Sequence, residues 1–122
     1  MSIRKELTIA AGDAGDESTY VFNLGKRYPI IIIGCNDTDG IDAATTMSAL
    51  ASMNSSDDLA DVWYEDGSAI WVSGTLPATS GGTFRFWLRG AAGAQRLQIV
   101  LSNAIETSKP TTFYVEGHGA LN

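Results

Sequence analysis

Residues 83–89 read Thr-Phe-Arg-Phe-Trp-Leu-Arg, and this alternation constrains the fold more than any other feature of the chain. In an extended backbone, successive side chains point to opposite faces. A period of two therefore groups Phe84, Phe86 and Leu88 on one face, with Arg85, Trp87 and Arg89 opposite. The same period recurs at Tyr20, Phe22 and Leu24, at Leu97, Ile99 and Leu101, and at Phe113 and Val115. Between these runs stand breakers: 12–16, 36–40, 54–58, 80–82, 90–93 and 108–110, rich in Gly, Asp, Asn and Ser. Their spacing predicts an all-β protein, an antiparallel β-sandwich of jelly-roll-like form with eight or nine short strands. Its shared core is expected to contain Phe22, Ile31, Phe84, Phe86, Leu97, Ile99 and Phe113. Residues 43–53 fit either a helix, through Met47 and Leu50, or a strand, through Thr45, Met47, Ala49 and Ala51. The all-β surroundings favour the strand.

A chain of 122 residues makes one domain. At that size roughly 65% of the unfolded surface is buried on folding, so no disulfide staple is required. The sandwich is expected over residues 18–122. Met1–Glu17, polar and glycine-interrupted, suits either an N-terminal arm or a disordered terminus. No apolar stretch follows the basic pair Arg4-Lys5, which predicts no ordinary secretory signal. The apolar run Ile30–Ile33 is too short to span a bilayer, so no membrane association is expected. Formal net charge is −6, and the eight basic residues are scattered. Phosphate neutralisation needs clustered Lys and Arg, so no direct nucleic-acid binding is expected. The single Cys35 ends an apolar run and reads as an inert buried thiol suited to a reducing cytoplasm.

Each constellation that suggests chemistry fails on a missing part. Asp37-Thr38-Asp39-Gly40-Ile41-Asp42 resembles the start of a calcium loop, with Asp37 and Asp39 at alternate positions before Gly40. The twelfth position, where an EF-hand needs a bidentate Glu, is Ser48, and the segment reads as a solvated acidic turn. His118, the one histidine, shares a strand face with Glu116 but has no nucleophile on a shaped elbow. Gly117-His118-Gly119 reads as a flexible tail. Gly90-Ala91-Ala92-Gly93 lacks the Gly-Lys-Ser/Thr ending of a phosphate loop and reads as a hairpin loop. One His and one Cys cannot build a zinc cluster. No catalytic, metal or cofactor residue is therefore assigned, and the chain is expected not to be an enzyme.

The aromatics remain. Trp87 is predicted to point outward between Arg85 and Arg89. Tyr64-Glu65-Asp66-Gly67-Ser68 predicts a tight hairpin. A two-residue turn groups Trp71 with Val62 and Tyr64. A three-residue turn groups Trp63 with Trp71, gives the cleaner separation of faces, and is preferred. Trp63, Trp71, Trp87, Arg85 and Arg89 are the candidate protein-interface residues, since Trp and Arg concentrate binding energy at interfaces. Stacking of a sugar on the same rings is the alternative, and cover by a neighbouring sheet or loop is the third.

The segments STYVFNLGKRYPIIII, VWYEDGSAIWV, GTFRFWLRG and AQRLQIVLS together resemble the small β-sandwich virion proteins of tailed bacteriophages. The motifs that carry the resemblance are Asn23-Leu24-Gly25, Tyr64 to Ser68, and Arg96 to Ile99, within residues 18–102. The stretch 36–61 departs from it. The resemblance implies a non-enzymatic capsid decoration or cement protein, placed in the virion after assembly in the host cytoplasm. It would bind between subunits of the major capsid protein or to other virion proteins, commonly as a homo-oligomer, a trimer. The same segments suit a carbohydrate-binding module of a tail or head fibre.

Overall fold

The computed structural model describes residues 1–56, 58–62 and 74–120. These form nine strands: β1 (Ser2–Ile9), β2 (Val21–Tyr28), β3 (Ile30–Cys35), β4 (Thr46–Ser52), β5 (Ala60–Asp61), β6 (Gly74–Thr75), β7 (Phe84–Trp87), β8 (Ala94–Leu101) and β9 (Thr111–His118). One sheet has the order β1-β9-β3-β7. The other runs β2-β8-β4, with β5 and β6 sharing the far edge of β4. Every pairing is antiparallel. The chain crosses repeatedly from one sheet to the other, and this order is that of a jelly roll. Residues 43–53 supply β4, the central partner of β8, as the strand alternative expects.

The inward faces meet as the alternation dictates. Phe22, Leu24, Ile31, Ile33, Met47, Leu97, Ile99, Phe113 and Val115 are all buried, and the rings of Phe84 and Phe113 lie 6.3 Å apart. Phe86 departs from expectation. It faces inward from the short edge strand β7 but is only half-buried, packed against the margin of the core. Edge position, rather than orientation, limits its burial.

The N-terminal segment is not an arm over its first nine residues. Residues Ser2 to Ile9 pair in unbroken register with β9, from Ser2 opposite His118 to Ile9 opposite Thr111. The following crossover is tied down as well. The Gly12 N–H donates to the Ile105 carbonyl (2.8 Å) and the Leu101 N–H to the Ala14 carbonyl (2.8 Å). The buried Gln98 amide donates to the carbonyls of Gly15 (2.8 Å) and Glu17 (3.2 Å). Two loop expectations also change. Residues 90–93 do not close a hairpin, because β7 and β8 belong to different sheets, and a 3₁₀ turn over Arg89–Ala91 makes the crossing. Gly117 and His118 are not a tail but the last residues of β9, paired on both sides.

The predicted hairpin at 64–68, with Trp63 and Trp71, lies outside the described residues. Its anchors do not. Asp61 faces Leu50, and continuing that register would put residue 64 opposite Met47, where Gly74 stands instead. β5 and β6 thus pair with the same edge of β4. β1 contacts β2 across the sandwich, so that edge and β7 lie on the same side of it.

Candidate functional site

The outer face of the β1-β9-β3-β7 sheet gathers most of the chain's unusual surface chemistry. Its register sets two rows side by side: Arg4–Glu116–Ile32–Trp87, and Glu6–Tyr114–Gly34–Arg85. Rigid strands fix each position, so this face is preorganised without any loop having to order.

Trp87 is 50% exposed, as the alternation of 83–89 predicts, and Ile30, two residues before its cross-strand neighbour Ile32, is 37% exposed. The Arg89 guanidinium lies 4.4 Å from the Trp87 ring centroid, within cation–π range. Arg85 does something different. Its Nη2 donates to Glu116 at 3.0 Å, reaching across β3 to β9. The two arginines flank Trp87 in sequence, but only Arg89 covers it in space.

Glu116 is the hub of this face, with its side chain only 13% exposed. It also accepts from His118 Nε2 at 3.0 Å and from Arg4 Nη1 at 3.5 Å. Arg4 further pairs with Glu6 at 3.2 Å and stacks 3.9 Å above the Tyr114 ring. Tyr114 is pressed flat by Arg4 above and Gly34 beneath, where no side chain would fit. Sequence reading placed Glu116 and His118 on one face but missed Arg4, Glu6 and Tyr114. Arg4 and Glu6 fall in the stretch that suits an arm, and Tyr114 carries no signal beyond its place in an alternating strand.

Trp63 and Trp71 lie outside the described residues, so this face is defined by Trp87, Arg85 and Arg89 among the candidates. Cys35 is fully buried; its thiol donates to the Asp37 carbonyl (3.2 Å), and burial pushes its pKa up. Such a thiol is poorly nucleophilic. One oxygen each of Asp37 and Asp42 serves a local turn, accepting from the N–H groups of Asp39 (3.0 Å) and Ala44 (2.8 Å), while Asp39 pairs with Lys109 (3.2 Å). Among the described residues no group of three or more His, Cys, Asp or Glu side chains is placed to share a metal. No described helix is long and apolar enough to cross a membrane.

No protein-family model matches the chain, and neither does any curated protein.

Proposed function

We propose that this is a non-enzymatic structural protein of a tailed-phage virion, a decoration or cement protein that attaches through the outer face of the β1-β9-β3-β7 sheet. The observation that carries the reading is Trp87, half-exposed on a rigid sheet, capped by Arg89 and bordered by Ile30 and Ile32. Aromatic and guanidinium groups around an apolar centre are the composition of an interface hot spot. Attachment there would bury this strip against major capsid subunits and bridge the joints between them. The resemblance to phage virion proteins supplies the partner, together with assembly as a homo-oligomer, a trimer. The jelly roll is compatible with that role but does not specify it, since viral capsid proteins, lectins and cupins share it.

A sugar platform on Trp87 fits less well, because the Arg89 guanidinium already covers one face of the ring. The test is co-sedimentation of the purified protein with assembled capsids, with the bound stoichiometry measured. Saturable binding lost in Trp87→Ala supports the reading. Absence of binding to capsids, heads and tails alike would sink it.

A further inference from the structure

We propose that the concave polar site at the other end of the same sheet face binds one saccharide ring, held by hydrogen bonds. The site is a cavity of about 260 Å³ lined by Glu6, Asn36, Asp37, Pro110, Thr112 and Tyr114. It lies beyond the row that holds Tyr114 and Gly34, whereas Trp87 lies on the row to the other side. The two sites are therefore separate.

The carrying observation is the Tyr114 hydroxyl. Tyr114 is only 6% exposed, and its ring is fixed between Gly34 and Arg4. A tyrosine buried to this degree ordinarily finds a partner for its hydroxyl. Here the hydroxyl has none among the described residues, while every described side-chain polar atom sealed from solvent is hydrogen-bonded. It thus remains open, on a residue that lines the cavity.

The other polar lining groups keep part of their hydrogen-bonding capacity. The Asn36 amide has no partner among the described residues. One Asp37 oxygen takes the Asp39 N–H, leaving the other to accept. Glu6 presents Oε2 while Arg4 holds Oε1, and the Thr112 hydroxyl is shared with Thr8 at 2.7 Å.

This set mixes donors with acceptors, which selects the ligand class. Two carboxylates repel an anion. A calcium ion needs six to eight oxygens, several of them charged. Arg4 already pairs with Glu6, leaving Asp37 as the one uncompensated carboxylate, too little negative charge for such an ion. Ligand hydroxyls, which donate and accept at once, match both kinds of group. Pro110 adds an apolar wall for ring C–H groups. The volume is below the roughly 300–1,000 Å³ of drug-sized pockets, so it takes one ring and not a chain. Both faces of Tyr114 are covered, so recognition is edge-on and the affinity modest.

The test is an amide NMR titration of the intact protein with a panel of neutral hexoses and N-acetylhexosamines. Shifts at residues 36–37 and 110–114 with at least one sugar are expected. Tyr114→Phe keeps the ring and should weaken binding by about tenfold, near the upper end for one neutral hydrogen bond. Asp37→Asn should weaken it as well, and Trp87→Ala should bind as the parent protein does. Three results would overturn the proposal: no sugar of the panel shifting these residues, titration unchanged in both Tyr114→Phe and Asp37→Asn, or the same shifts arising with calcium chloride and not with sugars.

Discussion

The ring of Tyr114 lies flat against Gly34 on the neighbouring strand, so close that a β-carbon at residue 34 would overlap its Cζ and hydroxyl. The glycine is needed for clearance, not for an unusual backbone angle. Gly34→Ala should therefore lift the tyrosine off the sheet and disturb the Arg4 stack above it, costing about 1–3 kcal/mol by overpacking. Urea denaturation of the single and double variants checks the cause. In a Tyr114→Ala background the same Gly34→Ala change should cost less than about 0.5 kcal/mol. Equal cost in both backgrounds would mean that the clash is not with Tyr114.

Glu116 gathers Arg4, Arg85 and His118 at 3.5, 3.0 and 3.0 Å. Exposed ion pairs contribute little individually, but a hub that is itself largely buried has more at stake. Glu116→Gln preserves shape while removing the charge, and should destabilise by roughly 1–2 kcal/mol at low ionic strength. The loss should shrink in high salt, because screening weakens what the parent protein gains. A salt-independent loss would assign the effect to packing.

How much of this was legible beforehand depended on whether neighbours in space were also neighbours in the pattern. The alternation of 83–89 correctly sent Trp87 outward and Phe84 inward, because strand geometry alone decides that. It could not say that Phe86 sits on an edge, since edge status depends on the order of strands within the sheet. Ile30–Ile33 looks uniformly apolar, yet Ile31 and Ile33 are core while Ile30 is exposed beside the Trp87 strip. A continuous apolar run does not reveal its period. The Glu116 hub was hidden more completely. Arg4 lies 112 positions away in sequence, and only the pairing of the first strand with the last brings them together.

Three groups hold their protons to higher pH in the folded protein than in the unfolded chain. Burial raises the Cys35 thiol from its ordinary 9.0, the hydrogen bond to Asp13 raises the Tyr20 hydroxyl from 10.0, and the hydrogen bond to Asp39, aided by its charge, raises the Lys109 ammonium from 10.5. For each, the stabilising contribution is complete below the unfolded value and is lost as pH rises through the folded one. Thermal melts should therefore show stability declining from about pH 9 upward, with Cys35 responsible for the earliest part. Cys35→Ala should move the onset to higher pH. A melting temperature that stays flat or rises above pH 10.5 would contradict all three shifts.

Trp87 and Phe113 separate a surface role from a core role. Phe113 is 1% exposed at the centre of the sandwich, and Phe113→Ala should cost about 3–5 kcal/mol. Trp87 stands on the outer face of an edge strand, touched by Arg89, so Trp87→Ala should cost no more than about 1 kcal/mol and leave a folded protein. If the proposed attachment face is right, the same change should weaken capsid binding by at least about 2 kcal/mol, roughly thirtyfold, as removal of a hot-spot tryptophan does. Arg89→Ala, which uncovers the ring without removing it, should weaken attachment to a smaller extent. Equilibrium unfolding and capsid co-sedimentation on the same preparations distinguish the two roles. A Trp87→Ala protein that folds normally and attaches as tightly as its parent would rule this face out.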